Sequence, residues 1–174
     1  LASCVMHRPK LLLLDEPTAG VDPAARREFW EEIHALAAEG ITVLASTHYM
    51  DEAERCHSIA YIAYGELLAC GTSRELIARH PLKMYSVCLR PGLPTSVLTR
   101  IAQRLEAQKD IDVVIPFGND LHVGGANSEL LDAAIAPWRD DPALVWSDAH
   151  ASLEDLFILL MNQALEKQKM LETC

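Results

Sequence analysis

The stretch Leu11-Leu12-Leu13-Leu14-Asp15-Glu16-Pro17-Thr18 decides the fold. Four consecutive leucines followed by two carboxylates are typical of a parallel strand that is buried on both faces and ends in polar residues. In open α/β sheets, ligands bind outside the carboxyl ends of the strands. We therefore predict a strand over residues 10–15 that brings Asp15 and Glu16 to a ligand-binding edge.

A helix and a second strand are predicted after this stretch. Asp22 is a favourable N-cap, Pro23 suits the first helical position, and Gly40 suits the end of the helix. The next apolar run predicts a strand over 41–46, and a short helix over 49–55 follows it. The alternation of strands and helices indicates an α/β fold with a parallel sheet.

The chain is predicted to divide into two domains with different element orders. The first, residues 1–80, ends with two strands turned at Tyr64-Gly65. The second, residues 81–174, has the predicted order strand, helix, strand, strand, helix, strand, and a closing helix begins near Ser152. This order matches a small ferredoxin-like α+β module.

Composition and charge restrict the classes of function. The 174 residues are 50% hydrophobic, which is enough for one ordinary domain or two small ones. The formal net charge of -10 argues against a broad phosphate-binding surface, so no nucleic-acid partner is expected. The longest apolar runs fall short of the roughly 20 residues that a membrane-spanning helix needs. Five scattered cysteines without CxxC spacing indicate reduced thiols in the cytosol.

The two carboxylates after the leucine run have distinct predicted roles. Asp15 is placed to hold Mg²⁺, directly or through a water, because hard cations take oxygen ligands. Glu16 would orient and polarise a water for in-line attack on a γ-phosphate. The alternative is that both residues end a strand in a solvated turn. A second strand that ends in Ser46-Thr47-His48, about thirty residues later, favours the chemical interpretation.

Three motifs, taken together, resemble the ABC ATPase family in order and spacing. Residues 11–16 resemble the Walker B strand, Ala19-Gly20-Val21-Asp22 resembles the D-loop, and His48 resembles the switch histidine. The likeness continues through residues 49–54 and 65–72, so it covers about the first 80 residues. The chain looks most like the ATP-binding subunits of ABC-2-type bacterial exporters, including multidrug exporters.

This resemblance implies a fold, cofactors, partners and site residues. It implies a P-loop NTPase core that uses ATP and Mg²⁺, with Asp15 at the metal, Glu16 as the catalytic base and His48 hydrogen-bonded to the γ-phosphate. Asp22 would couple the ATP site to a second nucleotide-binding domain, although helix capping alone also explains an Asp at this position. Transmembrane permease subunits or domains would be further partners, at the cytoplasmic face of the cell membrane.

Other motifs of the family are missing from the sequence. None of the eight glycines begins G-x-x-x-x-G-K-[ST], and the glutamine loop and the LSGGQ-type signature are absent. Because the chain also starts at Leu1, we expect a C-terminal fragment with half of an ATP site. Such a fragment would leave apolar sheet surface exposed, and alone it would neither hold ATP tightly nor hydrolyse it.

Two alternative functions stay open at this point. One is a non-catalytic remnant or an interaction module built on the second domain. The other is an ABC ATPase without a transporter, acting in translation or DNA repair. The translation factors of that kind typically have Asn-His-Leu-Asp in the D-loop region, so Ala19-Gly20-Val21-Asp22 favours a transporter subunit.

Overall fold

The computed structural model describes residues 2–172. The contacts within the chain form two compact units, of which the first ends at His57 and the second begins at Ser58. Each unit has a hydrophobic core of its own. The predicted domain boundary near residue 80 stays a prediction.

The first unit is built on two parallel strands. Its elements are α1 (Ala2–Val5), β1 (Leu11–Asp15), α2 (Pro23–Ala38), β2 (Thr42–Ser46) and α3 (Met50–Ala53). Strands β1 and β2 pair in register, from Leu11 opposite Thr42 to Asp15 opposite Ser46. The prediction of an α/β arrangement with parallel strands is confirmed, and the carboxyl ends of both strands lie at one edge.

Helix α2 begins where the sequence predicts and packs on one face of the strand pair. The Oδ1 atom of Asp22 accepts hydrogen bonds from the backbone N–H groups of Ala24 (3.0 Å) and Ala25 (3.1 Å), and Pro23 occupies the first helical turn. The apolar stripe of α2 packs against Leu12 of β1. The buried core residues of this unit are Leu12, Trp30 and Ile33.

The opposite face of the strand pair is exposed. Leu11, Leu13 and Leu44 are 53%, 65% and 63% accessible. The prediction that the leucine strand is buried on both faces is therefore wrong for the described residues, because helix α2 covers one face alone. The expected exposure of apolar sheet surface is confirmed.

The second unit combines a hairpin with a four-stranded antiparallel sheet. Its elements are β3 (Ile59–Ala63), β4 (Glu66–Gly71), α4 (Ser73–Arg79), β5 (Lys83–Leu89), α5 (Ser96–Glu106), β6 (Val113–Phe117), β7 (Asp120–Gly125), α6 (Ser128–Arg139), β8 (Leu144–Ala149) and α7 (Leu153–Glu172). The β3–β4 hairpin turns at Tyr64 and Gly65, whose φ angles of 53° and 76° suit a tight turn. The order in the larger sheet is β6-β7-β5-β8, and every pair in it is antiparallel.

A hydrophobic core of the second unit is formed by the four-stranded sheet together with helices α5 and α6. It contains twelve buried residues: Tyr85, Val87, Leu98, Ile101, Ala102, Leu105, Ile111, Leu121, Val123, Leu131, Ile135 and Leu144. Helix α4 is an element that the sequence analysis did not predict. A capping box between Thr72 and Glu75 begins it.

Two predictions from composition concern the membrane and the thiols. Within residues 2–172, no helix combines the length and the hydropathy that a membrane span requires. The described cysteines, Cys4, Cys56, Cys70 and Cys88, form no disulfide with one another, and the reduced state stays a prediction. Cys174 lies outside the described residues.

Candidate functional site

The carboxyl edge of the β1–β2 pair gathers most of the predicted site residues. Asp15 and Ser46 face each other at the ends of the two strands. The Ser46 hydroxyl donates a hydrogen bond to Oδ1 of Asp15. The backbone N–H of Glu16 points at Ser46. The Glu16 nitrogen lies 3.1 Å from the carbonyl oxygen of Ser46 and 3.1 Å from Oγ of Ser46. Ser46, which the sequence analysis did not single out as a site residue, thus ties the acidic pair to the end of β2.

Glu16 and His48 form the central contact of this edge. Oε1 of Glu16 lies 3.3 Å from Nδ1 of His48, and the two side chains are 51% and 58% accessible. Glu16 has a φ angle of 41°, so its backbone leaves the strand conformation immediately after Asp15. The His48 ring lies against the Tyr49 ring, with 4.1 Å between centroids. The structure therefore brings a carboxylate and an imidazole together in a position open to solvent.

Asp22 is placed differently from the other predicted residues. Its carboxylate caps helix α2 through the two backbone N–H groups described above. Among the described residues, Asp22 takes no part in the hydrogen bonds that link Asp15, Ser46 and Glu16. Capping accounts for an Asp at this position.

A buried glutamate behind the edge was missed by the sequence analysis. Glu52, in the short helix α3, is 0% accessible. It accepts hydrogen bonds from the hydroxyl groups of Thr18 and Thr47, the second at 2.7 Å. The Nε atom of Arg26, from helix α2, lies 3.4 Å from Oε1 of Glu52. Thr18, Thr47 and Arg26 come from three different segments of the first unit.

The charge state of Glu52 follows from these partners. Burial raises the pKa of the carboxyl group, but the hydroxyls of Thr18 and Thr47, the indole N–H of Trp30 and the Arg26 charge together outweigh burial. The result is a pKa below the ordinary value of 4.5. Glu52 is therefore a buried anion at neutral pH.

The oxygen atoms at the strand edge suit a hard cation. The Asp15 carboxylate and the Ser46 hydroxyl both stand at the carboxyl ends of their strands, and both residues are exposed. Mg²⁺ usually keeps several waters and takes one or two carboxylates from the protein, so these two groups could hold it. Within the described residues, no group of three or more His, Cys, Asp or Glu side chains has the geometry of a metal site.

One family model matches the region that contains this site. It covers residues 1–50 and is described as "AAA domain, putative AbiEii toxin, Type IV TA system". The matched segment includes β1, α2 and β2 with the acidic pair and His48. The parallel strands and the polar carboxyl edge lie within this matched segment, so the comparison places the segment with AAA-type, P-loop NTPase-like domains.

Curated relatives narrow the class further. The chain is 51% identical over 79 residues to the "Probable multidrug ABC transporter ATP-binding protein YbhF" of Escherichia coli (strain K12), which covers 45% of this chain and 14% of that protein. It is 32% identical over 172 residues to the "Nod factor export ATP-binding protein I" of Neorhizobium galegae, covering 96% of this chain and 46% of the relative. The protein of the same name from Ralstonia nicotianae matches at 32%, over 95% of this chain and 50% of the relative.

These matches confirm the resemblance that the motifs predict. The chain is similar to an ATP-binding protein named for an ABC transporter over 45% of its length, and to ATP-binding proteins named for Nod factor export over most of its length. It spans about half the length of those relatives and a smaller share of YbhF.

Proposed function

We propose that this chain carries the metal- and water-handling half of an ATP site in an ABC transporter subunit that powers export across the cytoplasmic membrane. The observation that carries the proposal is the 3.3 Å contact of Glu16 with His48 beside Asp15, at the carboxyl edge of parallel strands. The relatives named as a multidrug ABC transporter ATP-binding protein and as Nod factor export ATP-binding proteins support it. Export is the activity named in the Nod factor relatives.

In the proposed reaction, each residue of the edge has one task. Asp15, with Ser46 beside it, would hold Mg²⁺, which supplies charge neutralisation for the phosphates when bound. Glu16 accepts a proton from the attacking water as the water oxygen bonds to the γ-phosphorus. The bond from that phosphorus to the β–γ bridging oxygen breaks, and ADP leaves. His48 donates a hydrogen bond to the γ-phosphate, where charge develops.

The same proposal defines partners and location. A second nucleotide-binding domain would complete the site, with Asp22 at the interface, and transmembrane permease subunits or domains would couple hydrolysis to transport. The chain would then act at the cytoplasmic face of the membrane. We propose the domain limits 1–80 and 81–174 for the two parts.

The run from β5 to β8 is proposed to be a ferredoxin-like accessory domain. The element order strand, helix, strand, strand, helix, strand and the antiparallel sheet order β6-β7-β5-β8 support this proposal.

The 174-residue chain by itself is proposed to be inactive. No G-x-x-x-x-G-K-[ST] sequence occurs in it, so it has no P-loop to surround the phosphates with backbone N–H groups. The half-site of Asp15, Glu16 and His48 would then act only together with a phosphate-binding half.

Replacement of the base tests the proposed chemistry. In the complete protein, Glu16→Gln keeps the shape of the side chain but removes its basicity. ATP affinity should stay within about threefold of wild type, while the hydrolysis rate should fall by about 100- to 1,000-fold. Nucleotide binding and phosphate release at steady state measure the two quantities.

A matched control separates the role of the site from the loss of a charge. Glu28→Gln makes the same change at an exposed position of helix α2 and should leave both quantities unchanged. Undiminished turnover in Glu16→Gln would contradict the proposed role of Glu16.

A further inference from the structure

The carboxylate of Glu52 lies where two loops of the first unit meet. Thr18 is two residues after Glu16, and Thr47 directly precedes His48. Oε1 of Glu52 accepts a hydrogen bond from the Thr18 hydroxyl, and Oε2 accepts one from the Thr47 hydroxyl at 2.7 Å. One buried side chain therefore connects a near neighbour of Glu16 to the neighbour of His48.

Further contacts fix the segment on both sides of His48. The Thr47 hydroxyl, while donating to Glu52, also accepts a hydrogen bond from the backbone N–H of Tyr49 at 3.1 Å. The Arg26 guanidinium lies over the Tyr49 ring, 4.2 Å from its centroid, and its Nε is 3.4 Å from Glu52. The loop that carries His48 is thus held at the residue before it and at the residue after it.

A carboxylate at this place needs an explanation beyond packing. A buried anion is destabilising unless its oxygen atoms are hydrogen-bonded, and an apolar side chain would fill the same space without requiring any partner. What the carboxylate adds is directional bonding to two separate loops at once. Glu52 is 0% accessible, so it does not itself reach solvent.

We propose that Glu52 is a positioning residue, which sets the separation of Glu16 and His48 by binding the loop of each. The inference rests on the proposed function for its effect on ATP hydrolysis. A misplacement of about 1 Å in a catalytic group can lower a rate by about 100-fold. Loss of the Glu52 contacts should therefore act on turnover more than on ATP binding.

The kinetic test uses the complete protein and three variants. Glu52→Ala removes both hydrogen bonds, and Glu52→Gln keeps the volume but removes the charge and one acceptor. Turnover per folded protein should fall by about 10- to 100-fold in Glu52→Ala, with KM for ATP within about threefold of wild type. Glu52→Gln should show a smaller loss, which is the partial rescue expected of a conservative substitution. Glu54→Gln, at an exposed position just beyond α3, should match wild type.

Amide hydrogen exchange gives a second readout that does not depend on activity. Glu52→Gln, which keeps the side-chain shape, should raise exchange in both segments 16–20 and 46–50, whereas Glu54→Gln should raise it in neither. A wild-type protein without ATPase activity would overturn the proposed function, and exchange alone would then decide whether Glu52 holds the two loops. Unchanged exchange in either segment, or unchanged turnover in an active protein, would overturn the positioning role.

Discussion

The ionisation of Glu52 is linked to folding because its partners exist only in the folded chain. The folded-state pKa lies below the ordinary value of 4.5, so the unfolded chain takes up the proton first as the pH falls. The contribution of this carboxylate to stability is complete above about pH 4.5 and is lost as the pH falls through the lower folded-state pKa.

This linkage predicts a difference in acid sensitivity between variants. The free energy of unfolding of Glu52→Gln should fall less steeply below pH 4.5 than that of wild type, because the group that titrates is gone. Urea denaturation at a series of pH values measures the slopes. Other carboxyls with a lowered pKa, those of Glu75 and Asp148, are present in both proteins and do not affect the comparison. Parallel curves for wild type and Glu52→Gln would contradict the linkage.

The exposed residues of the edge could be predicted from the sequence, but the buried Glu52 behind the edge could not. Asp15 and Glu16 directly follow an apolar strand, and His48 follows the next one, so strand ends alone place them at one edge. Glu52 stands in a polar run of a short helix, where nothing in the local pattern indicates burial. Its donors, Thr18 and Thr47, are 34 and 5 residues away, and only the fold brings them together.

At the scale of elements, the beginning of helix α2 offers a test of the two roles of Asp22. Asp22→Ala removes the acceptor for two backbone N–H groups and should lower the free energy of unfolding by about 1 kcal/mol. Asp22→Asn keeps an acceptor oxygen and should stay close to wild type. Thermal or urea unfolding measures both variants.

Asp22→Asn also distinguishes the capping role of Asp22 from its proposed role at an interface. If Asp22 acts at the contact with a second nucleotide-binding domain, Asp22→Asn should retain stability but lose turnover in the complete protein. If Asp22→Ala and Asp22→Asn lower the free energy of unfolding equally, the capping explanation of Asp22 is wrong.

The regular elements with strong local signals were predicted well. Strand β1 was indicated by its leucines, and helix α2 by its N-cap and its apolar stripe. Helix α4 was missed because it has only seven residues, too few for a clear period, although its capping box was readable in Thr72 and Glu75. Burial of β1 on both faces was wrong because the cover of a strand depends on distant segments, which a local pattern does not report.

At the scale of the whole molecule, the proposal of a half-site makes a direct prediction for the 174-residue chain. Isothermal titration with Mg²⁺ and ATP should detect no micromolar binding, because the chain has no P-loop sequence to bind the phosphates. The complete protein, titrated under the same conditions, is the positive control. Micromolar affinity of the 174-residue chain would refute this prediction.

The arrangement of the second unit could be predicted only in part. The order of its strands and helices from residue 83 onward agrees with the predicted order, and the closing helix begins at Leu153, next to the predicted Ser152. Strand β5 pairs with β7 and β8, which begin 31 and 55 residues after its end, and this pairing could be expected only from the likeness of the element order to a ferredoxin-like module. Such pairing depends on how the sheet is covered as a whole, which no single segment encodes.

The backbone of Glu16 has an evolutionary consequence. At a φ angle of 41°, a left-handed conformation costs a side-chain-bearing residue about 1–2 kcal/mol, and glycine escapes this cost. Selection for stability alone would therefore favour glycine or asparagine at position 16, whereas selection for the proposed chemistry would favour the carboxylate. If variants at position 16 are ranked by free energy of unfolding and again by ATP turnover, the two orders should differ. Related proteins that keep a glutamate at this position would be those in which hydrolysis is still under selection.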